Sequence, residues 1–436
     1  MAPDRPNVLF VLTDQQRWDT VGPHTPMDLT PNLDEMAAAG TAFDRTFSPQ
    51  PLCAPARASL QTGQYATDHS VWKNDIALPD DERLLGRAFS RAGYDTGYVG
   101  KWHLSTAGTD PTPPDRRGGY DYWRAADVLE FTSHPDEGYV YDDEGERRSF
   151  ESYRVDAMTE YARSFIRRDR EAPFFCFLSY LEPHHQNDME AYVAPEGYAE
   201  RYANPWVPPD LEGVPGDWYE SLPDYYGICR RIDECLGDLL ATLEAEGVAD
   251  ETVVVFTSDH GSHFRTRNEE YKRSCHEAAI RVPAVATGPG FRDGGRVSEL
   301  VSLLDWPPTL LSAAGIDVPD QMAGRDLHPL VSGVDDWREE VFVQVSESSL
   351  GRALRTDRWK YGVYDPDSEG TDVPANDTYR ERYLYDLQAD PYEQVNLVGH
   401  DDYREVADHL RERLTDRIEA VEDERPTIRR QPHQHY

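Results

Sequence analysis

Four short, largely apolar runs each end in a cluster of polar residues, and this repeated pattern limits the fold more than any other feature of the chain. Residues 7–13 (NVLFVLT) lead to Asp14, and residues 94–99 lead to Gly100-Lys101-Trp102-His103. Residues 174–179 (FFCFLS) lead to Glu182-Pro183-His184-His185, and residues 252–257 (TVVVFT) lead to Ser258-Asp259-His260-Gly261. Apolar runs of this kind are strands buried on both faces. With helical stretches between them they imply a mostly parallel sheet covered by helices. Ligands of open α/β sheets bind beyond the carboxyl ends of the strands, so the four clusters are expected to converge on one site.

The helices between the runs carry their own signals. Thr30 is the expected cap of a helix that has Pro31 in its first turn and Gly40 at its end. Further helices are expected over 81–92, ending at Gly93, and over 225–246, ending at Gly247. Beyond about residue 335 the texture changes to short antiparallel strands (341–345, 351–355, 359–361), a polar loop, a further strand at 383–387 and a charged helix over 401–421. The expected fold is α/β, with a large mixed, mostly parallel sheet sandwiched by helices over 1–335. A smaller C-terminal α+β domain over 336–424 carries a short antiparallel sheet plus a helix, and residues 425–436 read as a flexible tail.

Composition narrows the classes of function. Of 436 residues, 81 are acidic and 44 basic, for a net charge of −37. Such a negative surface argues against nucleic-acid and anionic-lipid partners, and no apolar run is long enough to span a membrane. Only Lys73, Lys101, Lys272 and Lys360 are lysines. Dispersed acidity with little lysine suits a protein that stays soluble in concentrated salt, so a cytoplasmic location in a salt-accumulating, halophilic host is expected. The N-terminal residues lead directly into the first strand without a signal-peptide pattern. Five cysteines without CxxC spacing argue against a disulfide framework; Cys176 reads as core, and Cys229 and Cys235, six apart, do not share a helix face.

Cys53 is different. In Cys53-Ala54-Pro55-Ala56-Arg57-Ala58-Ser59-Leu60-Gln61-Thr62-Gly63, Pro55 in a first turn and Gly63 as a stop place Cys53 at a helix N-terminus, where free N–H groups and the positive dipole end favour an anion. Asp14 and Asp259, each just past a strand, suit a hard divalent cation.

The stretch C-x-P-x-R followed by T-G resembles the signature of the formylglycine-dependent (type I) sulfatases of the alkaline phosphatase superfamily. The resemblance extends from Asn7-Val8-Leu9 to Tyr385-Asp386-Leu387. It implies that a formylglycine-generating enzyme oxidises Cys53 to Cα-formylglycine, whose hydrate is the nucleophile. It also implies a metal site of Asp14, Gln15, Asp259, His260 and residue 53. Many members have acidic or carboxamide residues where this chain has Gln15 and His260, and this departure resembles the choline-sulfatase and phosphonate monoester hydrolase branch. The expected cation is Ca²⁺, with Mn²⁺ as the alternative that a nitrogen donor admits.

The resemblance further assigns Lys101 and His103 to the surroundings of the aldehyde hydrate. It makes His184, with His185 beside it, the candidate general acid and Lys272 the sulfate-binding lysine; Arg57 is expected to hold the hydrate and its loop. Asn74, His69, His263, Arg265 and Arg267 flank these motifs and are candidate contacts for the rest of the substrate. Trp102 and Trp306 are expected in the core. The implied reaction is hydrolysis of a small-molecule or carbohydrate sulfate ester. Phosphonate monoester or phosphodiester hydrolysis on the same fold is one alternative, and an unmodified, non-catalytic anion-binding homologue is another. A homo-oligomer is left open.

Overall fold

The computed structural model describes residues 5–291, 294–334, 336–368 and 370–432. At its centre lie the four apolar runs. They form β1 (Asn7–Thr13), β2 (Asp95–Lys101), β3 (Phe174–Ser179) and β4 (Thr252–Ser258), hydrogen-bonded in the order β2-β3-β1-β4 and all parallel. Strand Tyr122–Ala126 extends this core in parallel beyond β2, and Ala284–Thr287 runs antiparallel beyond β4 within an eleven-stranded mixed sheet.

Side chains alternate across β1, as the pleat requires. Leu9 and Val11 pack with α1 (Pro31–Ala39), α3 (Arg154–Ile166) and α4 (Trp218–Ala245). Val8, Phe10 and Leu12 face the other layer, built on α2 (Cys53–Thr62) with helices Leu85–Arg91 and Trp306–Ala313. Cys176, Trp102 and Trp306 are fully buried, as expected. All five cysteines are free and buried. No helix among the described residues is long and apolar enough to cross a membrane.

Several element ends differ from expectation. The 81–92 helix is confined to Leu85–Arg91, because Asp81 accepts from Arg83 N–H and holds the preceding residues in a turn. The 225–246 helix begins earlier, at Trp218, with Pro223 inside it. A proline leaves the carbonyl four residues back without its bond; here that residue is Tyr219, 77% exposed, in a first turn open to water. Thr30 makes no side-chain cap bond. Asp233 of α4 does that work instead, accepting from the backbone N–H of Asn32 (3.1 Å) and Leu33 (2.8 Å).

The C-terminal sheet runs β5 (Glu340–Val345), β6 (Gly351–Thr356), β7 (Trp359–Tyr364) and β8 (Thr378–Asp386), each antiparallel to the last. The last of these starts earlier than the expected 383–387. Helix α5 (Arg404–Glu422) replaces the expected 401–421 and covers Phe342 and Leu354 with Leu410, Leu414 and Ile418. From the opposite face, Val341, Val343 and Val345 pack on Phe47, Cys275 and Ile280 of the large layer.

The 425–436 segment is not a loose tail where it is described. β9 (Thr427–Arg429) pairs in parallel with residues Thr378–Arg380 of β8, and Arg425 ion-pairs with Glu412, Asp416 and Glu419 of α5. An added strand satisfies backbone groups on an otherwise open edge, and the arginine anchors it to an acidic helix. Residues 433–436 lie outside the described residues.

Candidate active site

The register of β1 against β4 builds the centre of the site. Thr13 lies opposite Ser258, so Asp14 and Asp259 leave the sheet side by side. Asp259 N–H donates to the Thr13 carbonyl at 3.1 Å, and Asp14 N–H donates to the carbonyl of Glu182 at 3.1 Å, which draws in the loop after β3. On the other side, Gly100 has φ +101°, and a Cβ there would stand 1.9 Å from the Ser179 carbonyl oxygen. Only glycine permits that approach, and it delivers Lys101 to the strand end.

Cys53 is the first residue of α2 and is buried. Its thiol donates to Asp14 Oδ1 (3.6 Å), lies 3.4 Å from His260 Nε2 and accepts from Lys272 Nζ (3.0 Å). His184 and His103 also lie within hydrogen-bonding reach of its side chain. Burial opposes ionisation of the thiol, but Lys101, Lys272 and His260 outweigh it and hold Cys53 well below its ordinary value.

The carboxylates are oriented from behind. Asp14 Oδ2 accepts from Lys101 Nζ (3.0 Å) and Arg57 NH2 (3.1 Å), and the same Arg57 nitrogen stands 3.2 Å from Asp259 Oδ2. Arg57 NH1 is held by the Lys101 carbonyl (3.0 Å) and Ser179 Oγ (2.5 Å). This leaves Oδ1 of both aspartates facing the thiol and His260. Burial favours the neutral acid at Asp14, yet Lys101 and Lys272 overcome it and hold the carboxyl well below its usual range. Asp259, buried beside the Asp14 charge, is pushed up to about 6. Two like charges so close call for a cation.

The remaining donors fit one. His260 Nδ1 donates to the Gly261 carbonyl (3.0 Å), which leaves the Nε2 lone pair turned inward. Gln15 Nε2 donates to Tyr192 Oη (2.8 Å), so its carbonyl oxygen faces the site and accepts from Lys272 Nζ (3.1 Å). One donor atom from each of Asp14, Cys53, Asp259 and His260 lies within 4.8 Å of all the others. Together with the Gln15 oxygen, these residues are chemically suited to a divalent cation.

Of the outer candidates, His184 reaches the centre. His185 instead stacks between the ring of His184 (4.4 Å) and that of Tyr271 (4.2 Å). Arg265 is exposed and lies over Tyr271, 4.7 Å from the ring centre. Other flanking candidates turn out to support the site from outside. His263 is wholly buried, with Nε2 donating to the Lys272 carbonyl (3.0 Å), and burial pushes it down to about 4. Asn74 Oδ1 accepts from Ala54 N–H at the start of α2 (3.1 Å), while its own N–H donates to Glu347 (2.7 Å). His69 bonds Ser59 Oγ (3.2 Å), and Arg267 donates to the Tyr392 carbonyl (3.1 Å). Motif flanks are near the site along the chain, but their side chains are spent on holding loops.

Three contributors escape a reading of the sequence. Glu130 accepts from Lys101 Nζ at 3.1 Å; burial would raise its pKa, but Lys101 brings it down to about 2. Tyr192 fixes Gln15, and Ser179 fixes Arg57. Ser179 closes an apolar run and could have been suspected from that position. Glu130 sits in a single helical turn (Leu129–Thr132) and Tyr192 in an irregular segment, with no spacing to betray either.

A family model for sulfatases matches residues 6–316, which hold every one of the central residues above. The chain belongs to the sulfatase family. A second model, for the C-terminal region of N-sulphoglucosamine sulphohydrolase, matches residues 270–420. The sulfatase is 31% identical to the ulvan-active sulfatase of Formosa agariphila, over 97% of this chain and 83% of that protein. It is 27% identical to the choline-sulfatase of Rhizobium meliloti, over 91% of this chain and 83% of that one. A solved structure in complex with its substrate D-glucosamine-2-N,6-O-disulfate superposes with a TM-score of 0.79 at 22% identity, covering 97% of this chain and 99% of that one. Membership makes the enzyme a sulfuric ester hydrolase, in a family that works with a divalent metal and formylglycine.

Proposed function

We propose that this sulfatase hydrolyses a carbohydrate sulfate ester through a formylglycine made from Cys53 by a formylglycine-generating enzyme. The observation that carries the proposal is the placing of Cys53 at the head of α2, within reach of two carboxylates, two lysines and three histidines. When bound, a divalent cation held by Asp14, Gln15, Asp259, His260 and residue 53 supplies positive charge for the ester oxygens and acidifies the attacking hydroxyl. Ca²⁺ is the expected ion, with Mn²⁺ the alternative.

The chain's own groups do the rest. Lys272 and Lys101 neutralise charge on the sulfuryl oxygens. His184, with Nδ1 donating to the His185 carbonyl (2.6 Å), is the general acid in its imidazolium form, giving its Nε2 proton to the leaving alcohol and ending as the neutral ring. His103 stands to take a proton at the residue-53 hydroxyl, and Arg57 keeps both aspartates and the end of β2 in place. Exposed Arg265, backed by Tyr271 and His185, is the contact for further anionic or hydroxyl groups of a sugar. The relatives that act on ulvan and the substrate-bound glucosamine disulfate structure support that class. We place the enzyme in a salt-rich cytoplasm on its charge.

The test is direct. Mass spectrometry of the peptide containing residue 53 should find the aldehyde or its hydrate, and Cys53→Ala should fold normally and lose turnover of an aryl sulfate. An intact thiol in active enzyme, or turnover by the alanine variant, would refute the nucleophile. Faster turnover of an aryl phosphonate than of the sulfate would move the substrate class to phosphonate esters.

A further inference from the structure

The four donors of the centre, taken with sulfur still at position 53, describe a metal site of a different kind from the one the converted residue would make. With bonds of roughly 2.0–2.3 Å to nitrogen, oxygen and sulfur, a tetrahedral zinc ion sets its ligands roughly 3.3–3.6 Å apart. Cys53 Sγ stands 3.4 Å from His260 Nε2 and 3.6 Å from Asp14 Oδ1. His260 Nε2 stands 3.5 Å from Asp14 Oδ1 and 3.5 Å from Asp259 Oδ1. Four of the six donor–donor distances thus match tetrahedral edges before any ion is placed, and the other two pairs lie within 4.8 Å.

The supporting contacts agree. His260 keeps its proton on Nδ1, which the Gly261 carbonyl accepts, and each aspartate has its outer oxygen beside Arg57. Ligands held by such outer contacts need little rearrangement on binding. Lys272 Nζ donates to the sulfur at 3.0 Å, which favours the thiolate that a metal needs. Thiolate and imidazole favour zinc, whereas Ca²⁺ takes six to eight oxygens at longer bonds.

We propose that the chain whose residue 53 is still a thiol binds one zinc ion through Asp14, Cys53, Asp259 and His260, and that conversion of the residue removes this preference. The second half rests on the reading of Cys53 as the formylglycine precursor; the first does not. Unconverted protein is therefore a zinc protein held in a closed, soft-ligand state, and the two forms of the enzyme are sorted by which metal they retain.

The experiment uses full-length chain made without a formylglycine-generating enzyme, its thiol verified by mass. Titration with Co²⁺ should give a sulfur-to-cobalt charge-transfer band that saturates at one equivalent and is displaced by one equivalent of Zn²⁺. Cys53→Ser should lack the band and bind Zn²⁺ about 100-fold more weakly or worse, and His260→Ala should weaken zinc by at least about tenfold. Unfolding curves of each variant separate lost ligands from lost fold. Absence of the band, or equal zinc affinity in thiol and serine chains, overturns the proposal. A thiol chain that binds zinc but is never converted by the generating enzyme leaves the zinc site standing and removes the proposed nucleophile instead.

Discussion

At the scale of single residues, Tyr192 and Glu130 decide how well the inner groups are presented. Tyr192 Oη is the acceptor that orients the Gln15 amide; without it the NH₂ face can turn toward the metal position and repel a cation. Tyr192→Phe should fold normally and weaken divalent-metal affinity about tenfold, read by calorimetric titration without substrate. Unchanged affinity would leave Tyr192 a packing residue. Glu130 acts on stability. Its pKa falls from 4.5 to about 2 on folding, so its stabilisation is fully present above about pH 4.5 and is lost as the pH falls toward 2. The shift corresponds to about 3 kcal/mol. Glu130→Gln should lower stability at neutral pH and flatten the acid limb between those two values, measured by urea unfolding at a series of pH values.

At the scale of elements, the apolar runs were legible because a strand buried on both faces admits little but Val, Ile, Leu and Phe, and its end is marked where polar residues resume. That signal marks Asp14, Lys101, His184 and Asp259, and Pro55 and Gly63 mark Cys53 as the head of α2. Helix starts were less legible, since the groups that satisfy them need not be local. The α1 N-terminus shows why: Thr30 is the sequence neighbour, but Asp233, two hundred residues away, accepts from Asn32 and Leu33. His263 and Asn74 show the same thing in reverse, as each bonds a backbone group that local sequence does not reveal. Asp233→Ala strips two N–H groups of their acceptor and should cost about 2 kcal/mol, seen as a lower thermal midpoint with the metal site intact. A midpoint equal to that of the parent would mean that water replaces the carboxylate.

At the scale of the whole molecule, lysine depletion acquires a spatial meaning. Lys101, Lys272 and Lys360 are buried, and Lys73 is half-buried. Two of the buried three lie at the candidate site, and Lys360 bridges Glu277 (2.6 Å) and Glu393 (2.7 Å), where the C-terminal sheet packs on the large layer. Three of the four lysines are thus enclosed by anions, while arginine supplies the surface pairs and further buried ones, among them Arg17 with Asp19 and Asp210, Arg154 with Glu182 and Arg352 with Glu422. The remaining charge, −37 overall, repels itself and repels an anionic ester. Salt shortens the range of that repulsion from about 10 Å at 0.1 M to about 3 Å at 1 M. Raising KCl over this interval should therefore raise the thermal midpoint and lower KM for a sulfate ester, while kcat changes less because the reacting groups are buried and poorly screened. Sucrose at matched osmolality should raise the midpoint without lowering KM, since it leaves the field intact. A KM that is flat with salt would mean that the local field of Lys101, Lys272 and Arg265 already shields an approaching substrate from the surface charge.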